Sequence, residues 1–216
     1  AAQTVFTQIN ATTDISYYNL TISNTGAAVA TTQTGGTLTV TNALAISADG
    51  ELAVATTYDN DGTLTFTGSG GVLNLQAAIT DDASELGTSF TQASGTVTYS
   101  DDAAQTVYTQ INDTTAITYN NLTISNTGAA VATTQSAGTL TVAGTLTMSA
   151  DGELTVATTF DPDGALTFGG AATLRIGASI TDDASEMGTA FTQSTGTVVF
   201  SGTADQTLFT WINDTT

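Results

Sequence analysis

The sequence predicts an all-β chain, wound as a β-solenoid (parallel β-helix) from tandem repeats of about 102 residues. Three observations lead there. Long stretches of the chain recur at a fixed distance. Short runs place an apolar residue at every second position, the period of a strand with one buried and one wet face. Glycine, asparagine and aspartate separate those runs as turns do.

The recurrence is close to literal. Gln3-Thr4-Val5-Phe6-Thr7-Gln8-Ile9-Asn10 returns from Gln105 to Asn112, and again from Gln206 to Asn213 as QTLFTWIN. Asn19-Leu20-Thr21-Ile22-Ser23-Asn24-Thr25-Gly26 returns unchanged from Asn121 to Gly128. The second interval is one residue shorter, and the missing residue falls where Gly68-Ser69-Gly70-Gly71 faces Gly170-Ala171-Ala172. A deletion accepted there marks a loop. Residues 1–102 are thus expected to form one repeat, 103–203 a second, and 204–216 the start of a third, in one continuous solenoid. Between copies Tyr58 becomes Phe160, Tyr99 becomes Phe200 and Leu86 becomes Met187. Near-isosteric exchange suits buried positions, and it suits equally two young duplicates that have barely diverged.

The strand runs include Thr37-Leu38-Thr39-Val40, Thr63-Leu64-Thr65-Phe66, Thr96-Val97-Thr98-Tyr99 and Thr145-Leu146-Thr147-Met148. Threonine suits their wet faces because its branched Cβ fits an extended backbone. Turns are expected at Asn24-Thr25-Gly26, Ala48-Asp49-Gly50, Asn60-Asp61-Gly62 and Gly68-Ser69-Gly70, and the single proline, Pro162, also falls in a turn. No stretch has the period of an amphipathic helix.

Tandem Ig-like β-sandwiches are the alternative architecture, and the long period suits them. The finer texture favours the solenoid: Leu20, Leu38, Leu52, Leu64 and Leu73 each open a similar short strand after a turn. Stacked coils require such likeness, and a sandwich has no reason for it.

The run from Gly138 to Met148, GTLTVAGTLTM, resembles the stacked strands of bacterial β-strand-repeat surface proteins, a group that includes filamentous-haemagglutinin-like parallel β-helix adhesins. YNNLTISNTG from Tyr119 and GTVVFSGT from Gly196 share that likeness. The resemblance implies secretion, a fibrous shape and a role in adhesion or matrix, at the surface or outside of a prokaryotic cell. It implies no catalytic residue.

Composition narrows the function. The chain carries 20 acidic residues against one Arg, Arg175, with no Lys or His, for a formal charge of −19. Such a surface repels nucleic acid and anionic lipid, and no apolar run reaches membrane-spanning length. Without Lys, His or Cys most general bases and nucleophiles are missing, so no enzyme is expected. Paired carboxylates remain, but glycoside cleavage needs two of them across a cleft.

Calcium is the candidate cofactor. Asp59-Asn60-Asp61-Gly62 and Asp161-Pro162-Asp163-Gly164 set oxygen ligands at alternate positions before a turn glycine, although they lack the distant glutamate of an EF-hand. Asp81, Asp82 and Glu85, repeated as Asp182, Asp183 and Glu186, form a second acidic group. Asp-Gly is also plain turn chemistry. Thr-x-Thr pairs such as Thr37/Thr39, Thr63/Thr65 and Thr139/Thr141 could build a flat hydroxyl ladder of the kind that binds ice. Sequons at Asn10, Asn19, Asn112, Asn121 and Asn213 are the yield of a threonine-rich composition.

The function expected from these readings is a segment or subunit of an extracellular fibre, sheath or adhesin stalk that stacks end to end on itself. A ligand-binding adhesin, for glycan or ice, is the alternative, and a polysaccharide-active enzyme is a more distant one. Natural solenoids close with atypical capping coils, whereas both termini here fall in ordinary repeat sequence. The expected assembly surface is Val5, Phe6 and Ile9 at one end, and Leu208, Phe209, Trp211 and Ile212 at the other.

Overall fold

In the computed structural model the described residues are 1–25, 30–33, 35–77, 86–111, 114–127, 133–135, 137–149, 151–177 and 187–208. One turn sets the pattern. Residues 37–40 form one side, residues 43–47 a second and Glu51–Val54 a third. The next turn stacks on it in parallel register, with Thr57 on Thr37, Thr63 on Ala43 and Val72 on Glu51. The coil is therefore three-sided and its strands run parallel, as a solenoid requires. A sandwich of antiparallel strands is ruled out. Among the described residues only two short hairpins pair antiparallel, Gln8–Ile9 with Thr13–Asp14 and Gln110–Ile111 with Thr115–Ala116.

Alternation decides which residues enter the core. Leu52, Leu73, Val97, Leu122, Leu146 and Leu166 occupy one register column on successive turns, and each is 0 % exposed. Burying a side chain of this size is worth about 1.5–3 kcal/mol, so the column is a main source of stability. The residue beside each points outward, and from Thr98 the outward column reads Thr123, Thr147, Thr167 and Thr192. The exchanged positions Tyr58/Phe160 and Tyr99 are buried, while Phe200 is half-buried.

Polar side chains close the corners. The buried Gln33 donates Nε2 to Gly36 O (2.7 Å) and Thr57 O (3.1 Å), and its Oε1 accepts from Thr56 N (3.3 Å). Gln135 repeats all three bonds with Gly138, Thr159 and Thr158. Each amide satisfies backbone groups that a turn would otherwise leave unpaired inside the protein. Asp49 and Asp151 take positive φ (62° and 65°), which aspartate tolerates better than most residues, so these acids serve the turn. Gly95 has φ of 88° and sits so close to the turn below that a Cβ there would lie 2.6 Å from Gly71 O. Only glycine fits that corner.

The two copies do not sit one above the other. The longest sheet follows a nine-strand path that starts at Gln3–Val5, passes Glu51–Val54, Val72–Leu75 and Thr96–Tyr99, then continues through Thr118–Ile124, Thr139–Met148 and Ala165–Phe168 to Ala190–Gln193. Its first and second halves come from different sides of the repeat. Thr63–Thr67, the counterpart of Ala165–Phe168, lies in a separate sheet with Ser16–Ile22, Thr37–Ser47 and Ser89–Gln92. Glu153–Val156, the counterpart of Glu51–Val54, lies in a third sheet with Thr173–Ile176 and Thr197–Phe200. The second copy is turned by one side of the coil, a third of a revolution.

The register gives the same count. From Leu20 to Leu44 is one turn, from Leu44 to Leu52 a step of one side, and from Leu52 through Leu73 and Val97 to Leu122 three turns. A repeat thus spans four and one-third turns.

Candidate assembly surface and acidic turns

Where the copies meet, residues of the first cover residues of the second. Thr96–Tyr99 pairs in parallel with residues 121–124, placing Leu122 on Val97 and Ile124 on Tyr99. The buried Gln92 ties the neighbouring side: its Oε1 accepts from Asn120 N (3.0 Å) and its Nε2 donates to Asn121 O (3.2 Å). Asn121 in turn donates Nδ2 to Gly95 O (2.8 Å). On the third side Gln105 donates Nε2 to Leu75 O and Ala77 O, both at 3.0 Å, and accepts from Asp101 N at 3.0 Å. All three sides are joined by ladder or amide bonds.

The inside of the joint is aromatic. Phe90 meets Tyr119 edge-on, with ring centres 5.6 Å apart. Tyr119 donates its hydroxyl to Tyr108 O (2.6 Å), so the 3.2 Å contact between the Tyr99 and Tyr119 oxygens is completed by the Tyr99 proton. Burial holds both phenols protonated and pushes both pKa values up from the usual tyrosine value, and at Tyr119 an ionised Tyr99 beside it would act in the same direction.

The same residues are open elsewhere. Phe6 is 61 % exposed and Ile9 55 %, whereas Ile111, the copy of Ile9, is 3 % exposed at the joint. Phe200, the copy of the buried Tyr99, is half-buried, while Phe90 and its copy Phe191 are both half-buried. Of the expected assembly residues, Val5 is buried in its own coil, Phe6, Ile9 and Leu208 are exposed, and Phe209, Trp211 and Ile212 lie outside the described residues. Sequence reasoning missed the larger part of the surface: Phe90, Gln92, Tyr99 and Tyr119. The available signal was the tyrosine kept at both Tyr17 and Tyr119.

The acidic motifs divide. Asp59 lies within the strand Thr57–Asn60 rather than in the turn, and Asp161 within Thr159–Asp161. Each carboxylate accepts a hydroxyl from the turn below, Asp59 from Thr39 (3.1 Å) and Asp161 from Thr141 (3.2 Å). Strand alternation turns Asn60 inward, where its Oδ1 accepts from Gly62 N (3.2 Å), while Asp61 and Asp163 face solvent. Among the described residues no three acidic side chains converge as a cation cage would need. Asp81, Asp82, Glu85, Asp182, Asp183 and Glu186 lie outside the described residues. Arg175 meets Glu153 at 2.6 Å on the adjacent turn.

Among the described residues no helix is long and apolar enough to cross a membrane. Comparison with protein-family models, with curated proteins and with solved structures finds no match for this chain.

Proposed function

We propose that the chain is a structural segment or subunit of an extracellular fibre, sheath or adhesin stalk on a prokaryotic cell. The observation that carries this reading is the joint. One copy of the repeat continues into the next with an unbroken ladder on Val97–Leu122 and an aromatic cluster, with no capping element between them among the described residues. A module that accepts its own copy in this way extends along one axis, and a contact that does not close on itself generates a filament. The residue inventory supports a non-enzymatic role, since Lys, His and Cys are absent. The charge of −19 disfavours nucleic acid and anionic membrane as partners, and its self-repulsion keeps exposed strand edges soluble until cations screen it and let copies meet. Electron microscopy of the purified protein in high salt tests the reading: extended fibres support it, and monodisperse short particles at all concentrations refute it.

A ligand-binding adhesin is the second reading. The outward column Thr98, Thr123, Thr147, Thr167 and Thr192 favours it, because five threonines on successive turns make a flat, uncharged row on an acidic protein. Ice-recrystallisation and glycan-binding assays test it directly.

A further inference from the structure

We infer that the joint between the copies holds a binding site for a neutral sugar. The site is a cleft of about 390 Å³ between Ser89–Gln92 of the first copy and residues 116–120 of the second. This rests on the adhesin reading above for its ligand class, and it places that ligand away from the threonine column. It does not depend on the fibre reading.

The cleft exists because the backbone ladder is interrupted on this side of the coil. Ser89–Gln92 pairs with the turn below through residues 63–66 and is the last strand of its sheet. Thr118–Ile124 pairs with the first copy only along residues 121–124, on the neighbouring side. Across the interruption the hydrogen-bonded link is the side chain of Gln92, through Asn120 N and Asn121 O. The opposite wall is held within the second copy, by Ile117 N donating to Thr109 O (3.0 Å) and by the pairing of Ala116 with Gln110. Both walls are fixed by bonds of their own copies, so the space between them is formed before any ligand arrives.

The lining is apolar below and polar at the edge. Phe90 points inward yet stays half-buried, its ring held edge-on by Phe66 and Tyr119 at 6.3 and 5.6 Å between ring centres. Ala93, Ala116 and Ala143 are exposed around it, and side chains this small leave the ring accessible. Thr91 and Thr118 add exposed hydroxyls that donate and accept. Asn120 Oδ1 accepts from Asn121 Nδ2 (3.0 Å), which leaves the Asn120 amide nitrogen as a donor.

Charge selects the ligand class. Among the described residues no acidic or basic side chain lines the cleft, although the chain carries 20 acids. An anion finds no cation there, and a cation finds no carboxylate. A pyranose has an apolar C–H face and a rim of hydroxyls, which matches an aromatic floor beneath hydroxyl and amide groups. A ligand without hydroxyls would strand those polar groups. Strand addition by a peptide along Ser89–Gln92 is blocked, because the Gln92 amide already bridges to the second copy. The volume lies near the lower end of the range of roughly 300–1,000 Å³ for small-ligand sites, which suits one or two sugar rings. Each further joint in a longer array would repeat the cleft, so weak sites would gain by avidity.

Saturation-transfer NMR on the full chain tests this, with cellobiose, lactose, mannobiose and chitobiose as probes. Irradiating the aromatic protons is expected to mark the C–H protons of one ring face on at least one of these sugars. Phe90→Leu should abolish that transfer. The Ala93→Leu, Ala116→Leu double variant covers the ring from exposed positions, leaves the core untouched and should abolish it too. The Thr91→Val, Thr118→Val double variant keeps the shape and should weaken binding by about ten-fold, the loss of two ordinary hydrogen bonds. Binding that survives both Phe90→Leu and the leucine pair overturns the cleft; if Thr147→Val then removes it, the ligand lies on the threonine column and the adhesin reading stands. No transfer to any of these sugars overturns the proposal together with the glycan form of the adhesin reading.

Discussion

The hydroxyl oxygens of Tyr99 and Tyr119 lie 3.2 Å apart in the buried joint, one contributed by each copy of the repeat. Tyr119 spends its proton on Tyr108 O, so neither phenol can ionise without breaking a bond in an apolar setting. An unfolded tyrosine titrates near pH 10 and both folded pKa values are raised. The native state therefore holds protons that the unfolded state releases. The stabilisation is full below about pH 10 and is lost as pH rises above it. The melting temperature should fall steeply between about pH 10 and 12, and more shallowly in the Tyr99→Phe, Tyr119→Phe double variant. Equal slopes would show that the pair is not what titrates.

Phe90→Ala removes the ring that packs on Tyr119. It should destabilise the chain by about 2–4 kcal/mol, somewhat below the cost of emptying a fully buried aromatic site because Phe90 is half-buried. Phe191→Ala at the counterpart, which among the described residues meets Phe168 and no tyrosine of a following repeat, should cost clearly less. Chemical denaturation of the two variants measures the gap, and equal losses would mean that the joint adds nothing to the packing of its last coil.

Gln135→Leu keeps the volume of a corner amide and deletes its three backbone bonds. Stranding buried backbone groups costs about 1–3 kcal/mol each, so a large loss of stability is expected despite a more apolar side chain. A neutral or stabilising result would refute the corner-closing role.

These residues also show what could be read in advance. Leu52, Leu73 and Val97 were legible because alternation alone assigns a face in a strand. Turn residues such as Asp49 and Gly50 were legible for the same local reason. The third-of-a-turn offset was not, because it depends on how many sides 102 residues wrap, which is set by corner lengths and not by periodicity. Gln33 and Gln135 were hidden too: a glutamine reads as surface until the corner that buries it is known. Asp59 read as a turn ligand because its oxygen chemistry is visible in sequence, while its place on a strand beside Thr39 is not.

Calcium held by the acidic turns should raise the melting temperature beyond the shift given by sodium chloride at matched ionic strength, by mass action on the folded state. The excess should shrink in the Asp61→Asn, Asp163→Asn double variant. Equal shifts from both salts would leave only charge screening of a −19 protein and remove the metal.

The central claim is that identical repeats continue one three-sided coil, each turned by a third of a revolution. Cryo-electron microscopy or fibre diffraction of the assembled protein measures it most directly. The expected pattern is a strand spacing of about 4.8 Å, a rise of about 21 Å per repeat, hence about 42 Å for a subunit that carries two repeats, and threefold screw symmetry of the repeats recurring at about 62 Å. A rise of about 35–45 Å per repeat, the advance of a compact domain of this size, would contradict the solenoid fibre. A rise near 21 Å without the one-third turn would contradict the joint as its repeating contact.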